Sequence, residues 1–240
     1  MDVIRHIMAT ALIANSVDNL AIADMIALAF FFLLRPGEYT GTKSKTSPFR
    51  LCDVQLFIGR YRIDHLTADF ATVRSATFAT LTFTDQKNGV RGEVIGLARS
   101  GNIQLCPVLS IIRRVVHLRE HNAPHTTPLA SYFHLQRWRP VKPADISAVL
   151  RLAVAILGTG LGFAPKDVSA RSLRASGAMA LLCARVDTDV IKLLGRWRSD
   201  EMLRYLHVQA EPVMRNFAAK MLHHGSFVLT PGPDVAVPSL

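Results

Sequence analysis

Residues 21–34 read AIADMIALAFFFLL, fourteen positions with a single acid among them. No other stretch restricts the fold so strongly. A helix that crosses a bilayer needs roughly 20 predominantly apolar residues, and a carboxylate near its centre is expensive there. This run is too short and carries Asp24. A helix that is apolar all round and does not enter lipid has to be enclosed by protein, so the rest of the chain is expected to wrap around it. Half of the 240 residues are hydrophobic and 19% are charged. That is enough apolar material for such a core, and it excludes a disordered or low-complexity polypeptide. The opening MDVIRHIMATALIANSVDN has no strong apolar centre and no cleavage site. It reads as a short amphipathic helix and not as an export signal.

The remaining pattern predicts helices around one early sheet. A first helix precedes Asn15, and a second covers about 20–34, capped by Asp18 or Asn19. Arg35-Pro36-Gly37-Glu38 ends or kinks it, because proline disfavours helix at the residue before it. Strands are expected at 51–58 and 61–63 around Gly59-Arg60, at 76–84 where Thr, Phe, Ala and Leu alternate, and at 93–98. The turn before the last strand contains Asn88-Gly89, a strong hairpin signal. Helices follow over 107–121, 144–157 (started by Pro143 and Asp145), 172–186, 188–194 and 200–207. The expectation is an α+β fold, mainly α, with a small three-stranded antiparallel sheet. Residues 1–222 form the domain, and 223–240, rich in Gly and Pro, a flexible C-terminal tail.

Charge points to a polyanionic partner. Lys and Arg number 28 against 18 Asp and Glu, a net charge of +10, and nucleic acid is the simplest such partner. An anionic membrane fits less well, since no basic run adjoins an exposed amphipathic helix. Cys52, Cys106 and Cys183 are far apart, with no CxxC pair and no histidine at ligand spacing. A disulfide framework and a zinc site are therefore disfavoured, no metal or cofactor is expected, and a reducing, intracellular compartment suits the chain.

Four separated boxes carry the chemistry. Arg35 and Glu38 lie in LLRPGEYTG, and Lys87 lies in the turn TDQKNGVRG. Arg171 and Arg174 stand three apart in SARSLRASGA, on one face of a helix start. Arg196, Trp197, Tyr205 and His207 fall in LGRWRSDEMLRYLH. In this order the boxes resemble the catalytic domain of the tyrosine recombinase (phage integrase) family, particularly its eukaryotic transposon-derived, crypton-like members. Arg35 and Glu38 match a motif like LRxxE, and Lys87 matches a lysine on a β-hairpin. Leu173, Arg174 and Ala178 match HxLRxxxA, and Leu194, Gly195 and Tyr205 match LGHxxxxxxxxY. Arg171 and Arg196 stand at the two histidine positions. The likeness runs over about residues 20–210. Only 34 residues precede Arg35, so the family's N-terminal DNA-clamping domain is expected to be absent.

The resemblance implies transesterification at a phosphodiester of double-stranded DNA. The Tyr205 oxygen would attack phosphorus, giving a 3′-phosphotyrosyl link and a free 5′-hydroxyl. Arg35 and Arg174 would clamp the non-bridging oxygens, since a guanidinium stays protonated and bonds two oxygens at once. Lys87 would protonate the leaving oxygen. Arg171 and Arg196 take the positions of proton-transfer residues, and Glu38 orients an arginine. Trp197 packs or contacts phosphate, and His207 lies close to Tyr205. Taken singly, these residues have ordinary readings as solvated charges, a turn lysine and a packing tyrosine; their order favours the functional one. Three functions follow: site-specific recombination or integration, with several copies assembling on DNA; type IB topoisomerase-like nicking and closing; and a catalytically inactive DNA-binding remnant of a mobile-element recombinase. In a eukaryote the location would be the nucleus. Residues 168–220 hold nine basic and five acidic side chains, a surface able to follow a DNA backbone.

Overall fold

A computed structural model describes residues 1–41, 47–84, 92–199, 202–203, 215 and 217–224. The chain divides into two units, Met1–Leu206 and His207–Leu240. In the second unit the described helix is Phe217–His224.

The apolar run forms the centre of the first unit. Helix α1 (Asp2–Ala14) is followed by α2 (Val17–Phe31), whose residues Ala21 and Ala23–Phe30 are all buried. Helix α2 starts earlier than its apolar run, so Ser16 occupies the cap position that was expected of Asp18 or Asn19, and Asp18 sits in the first turn. An acid there complements the positive end of the helix. Asp24 is fully buried and ion-paired with Arg113 at 2.5 Å; burial pushes its carboxyl up from the usual range. The helix ends at Phe31, and Leu33 takes a left-handed φ of 50°. Arg35 is extended (φ −80°, ψ 150°), as the residue before a proline tends to be, and Pro36 opens the short helix α3 (Pro36–Tyr39).

The early sheet is antiparallel throughout, with strands β1 (Val54–Ile58), β2 (Tyr61–Ile63), β3 (Phe78–Phe83) and β4 (Glu93–Ala98) in the order β2-β1-β3-β4. It has four strands where three were expected. Gly59, at φ 58°, turns the chain tightly enough for Tyr61–Ile63 to pair fully with β1 as an edge strand. The short helix α4 (Phe70–Arg74) is an addition, started by the Asp69 carboxylate accepting from the Thr72 N–H at 2.8 Å. The Asn88-Gly89 turn lies outside the described residues.

Helix α5 (Pro107–Glu120) packs against α2, and a second hairpin follows: β5 (Ser131–His134) and β6 (Arg137–Pro140). Helix α6 (Pro143–Leu157) starts as expected, with the Asp145 carboxylate accepting from the Lys142 N–H at 2.8 Å. Helices α7 (Ser172–Cys183) and α8 (Thr188–Gly195) complete the described helices of this unit. The fold is α+β and mainly helical, and among the described residues no helix is long and apolar enough to cross a membrane.

One histidine ties the second hairpin to α5. The Phe133 N–H donates to Nε2 of His117 at 2.9 Å, so that nitrogen must be unprotonated. Burial, with Arg114 and His121 nearby, pushes His117 down to about 4 from 6.5. The unfolded chain then takes up this proton first as pH falls. Stability is expected to decline between about pH 6.5 and 4. His117→Gln retains an acceptor and cannot titrate, so urea denaturation followed against pH should show this part of the decline flattened.

Candidate functional site

The site is assembled at the C-terminal end of α2. Glu38, buried on α3, folds back on the residue that starts its own helix: its Oε2 accepts from the Arg35 N–H at 2.7 Å, and its Oε1 from Arg35 Nη1 at 3.2 Å. The Arg35 side chain is 29% exposed.

Arg174 arrives from α7. That helix lies so close to α2 that a Cβ added at Gly177 would overlap the Phe30 carbonyl and the Leu33 side chain. At this separation Arg174 Nη1 donates to the Leu33 carbonyl at 3.0 Å and Nη2 donates to the Gly195 carbonyl. Its guanidinium lies 4.1 Å over the Trp197 ring. Gly177→Ala is therefore expected to destabilise the fold by about 1–3 kcal/mol, the usual range for overpacking, read by chemical denaturation.

Arg196 follows α8 with a left-handed φ of 59°, which turns its side chain inward. Nη2 donates to Glu38 Oε2 at 3.1 Å and to the Leu33 carbonyl at 3.2 Å. Nη1 donates to the Leu194 carbonyl at 3.1 Å and, weakly, to that of Phe32 at 3.4 Å. The guanidinium lies 4.1 Å over the Phe83 ring, and Nε is buried without a partner. Burial pulls this arginine down from its ordinary value, while Glu38 opposes the shift.

Arg35 and Arg196 thus share the Glu38 carboxylate, and Arg174 and Arg196 share the Leu33 carbonyl just beyond the end of α2. The negative end of the helix dipole suits such cations, and the cluster keeps a positive excess. Its parts differ in access: Arg174 is 8% exposed and Arg196 7%, so Arg35 is the member that meets solvent.

Among the residues singled out in the sequence, Arg35, Glu38, Arg174, Arg196 and Trp197 are brought together. Arg171 is exposed at the position before α7 and has no part in these hydrogen bonds. Lys87, Tyr205 and His207 lie outside the described residues. Sequence reading missed the Leu33 carbonyl, Gly177 and Phe83, whose parts depend on tertiary approach. Only Gly177, three residues after Arg174 inside a helix, left a signal: glycine there is unfavourable unless something packs closely. Among the described residues no group of three or more His, Cys, Asp or Glu side chains could hold a metal ion.

Neither a family model nor a curated protein matches the chain. Among solved structures, it is similar to the Tn1549 transposon integrase (residues 82–397) in complex with circular intermediate DNA. Identity is 16% and the TM-score 0.45, with 88% of this chain and 60% of that chain covered.

Proposed function

We propose that this chain breaks and rejoins DNA as a tyrosine recombinase does, with Tyr205 as nucleophile and Arg35 as the exposed member of a phosphate clamp. One observation carries the reading: residues from three boxes, far apart in sequence, meet within hydrogen-bonding distance at the end of α2. A phosphodiester displaced by a phenol develops charge on its non-bridging oxygens, and preorganised guanidinium donors are suited to stabilise it. Glu38 holds Arg35 in a fixed orientation, and the formal charge of +10 favours approach to DNA.

The test is a nicked suicide substrate, from which the free 5′ end diffuses away and traps the intermediate. A covalent protein–DNA adduct that maps to Tyr205 is the expected result; an adduct on another residue would refute the assignment. A second reading draws on a specific observation. Arg174 and Arg196 are buried, and their donors engage backbone carbonyls, which favours a DNA-binding remnant that no longer cleaves. Salt-sensitive DNA binding with no adduct from the unaltered protein would select it.

A further inference from the structure

The β5–β6 hairpin takes no part in the arginine cluster, and its two faces differ sharply. Its register sets Phe133 opposite Trp138, Tyr132 opposite Arg139 and His134 opposite Arg137. Side chains alternate along a strand, so the aromatic pair occupies one face and the two arginines the other. The aromatic face is docked through Phe133, while Trp138 stays 37% exposed. The Phe133 and Trp138 rings lie 5.2 Å apart, with His121, just after α5, 4.9 Å from Phe133 and His117 of α5 6.3 Å from Trp138. Arg114 of α5, fully buried, donates to the carbonyls of Leu129 and Ser131 where the hairpin begins. The ribbon is held through β5, which packs on α2 and α5.

On the other face Tyr132 of β5 packs on the hydrophobic core, whereas β6 is exposed along its whole length. Arg137, Arg139 and the neighbouring Lys142 are exposed. The acids acting on this face are Asp18, near Tyr132 and His134, and Asp145, near Tyr132; Asp145 also accepts from the Lys142 N–H, so the basic surface rests on Arg137 and Arg139. The tip is also unusual. Leu135 is 71% exposed, and Leu135 and Gln136 have φ of 49° and 59°, values that a two-residue turn normally reserves for Gly, Asn or Asp. The turn leaves the apolar Leu135 side chain in solvent at the tip, two residues from Arg137. Two positions along a strand are roughly 7 Å apart, about twice the axial spacing of phosphates on one DNA strand. The major groove admits a two-stranded ribbon.

We propose that the β5–β6 ribbon is a docking element for duplex DNA, with Arg137 and Arg139 on the phosphate backbone. This rests on the DNA-binding part of the reading above. The test measures binding of the full chain to a labelled mixed-sequence duplex across a salt series. Each phosphate contact contributes about 0.9 to the slope of log K against log salt. Arg137→Gln/Arg139→Gln should lower that slope by about 2 and weaken binding roughly 10- to 100-fold at 0.1 M salt, with an unchanged melting curve. Arg137→Lys/Arg139→Lys should keep the slope, as should Arg5→Gln/Arg60→Gln, which removes two exposed arginines elsewhere. An unchanged slope in the ribbon variant, or an equal loss in the Arg5/Arg60 control, would overturn the ribbon proposal and leave DNA binding standing. Reduced attachment to anionic vesicles with DNA binding intact would also overturn it. Absence of salt-sensitive binding by the unaltered protein would overturn both readings together.

Discussion

Tyr205→Phe is expected to abolish covalent attachment to DNA, by at least about 10³-fold, while leaving salt-sensitive binding close to that of the unaltered protein. Removing a nucleophile eliminates the covalent route outright, and such knockouts are among the most damaging single changes in enzymes that form covalent intermediates. Only one oxygen is lost, so contacts that hold the duplex through arginines and lysines persist. Arg35→Ala is the natural companion. Arg35 is the accessible member of the cluster, and loss of one preorganised donor lowers rates by roughly 10²–10³-fold. Arg174→Ala is a poorer probe of chemistry, because Arg174 also joins α2 to the end of α8. Adduct yield on the nicked substrate, set beside binding measured separately, distinguishes these cases. Full adduct formation by Tyr205→Phe would exclude Tyr205.

Glu38→Ala should be the most damaging single change to stability, with a loss of about 3–5 kcal/mol. Glu38 is the acid that pairs with buried Arg196, and it also accepts from the Arg35 backbone and side chain. Removing one partner of a buried pair leaves the other charge uncompensated, which is the source of the large penalty. For a chain of this size the melting temperature should fall by about 6–20 °C. Arg196→Met added to Glu38→Ala should recover part of the loss, since the Arg196 charge is then no longer buried without its acid. Guanidinium-chloride unfolding of the single and double variants checks both statements. A single variant as stable as the parent would show that Glu38 is not the counter-charge of Arg196.

Much of the fold was legible because local chemistry and tertiary need coincide. Residues 21–34 had to be enclosed, and all but the half-buried Ile22 and Phe31 are; Pro143 and Asp145 had to start a helix, and they do. The alternation at 76–84 emerges as β3. Legibility failed where the usual punctuation is missing. The turn of the β5–β6 hairpin is Leu135-Gln136, with no Gly, Asn or Asp to announce it. Helix α2 begins four residues before its apolar run, so its cap was sought too late. For the site, the order of the boxes pointed to Arg35, Glu38, Arg174 and Arg196, but the direction each side chain takes could not be read. Arg196 turns inward because its own backbone is left-handed and the ends of α2 and α3 offer acceptors. That outcome depends on residues more than 150 positions away.

The Leu33 carbonyl accepts from two arginines that lie 141 and 163 positions further along the chain. During synthesis this end of α2 leaves the ribosome long before either partner exists. At 5–20 residues per second, the wait for Arg196 is roughly 8–33 s. Throughout that interval the most apolar helix of the protein is unfinished at its C-terminal end, and the surface that α7 will cover is open. The nascent chain therefore cannot close this end of its core until the segment that carries the cluster arrives.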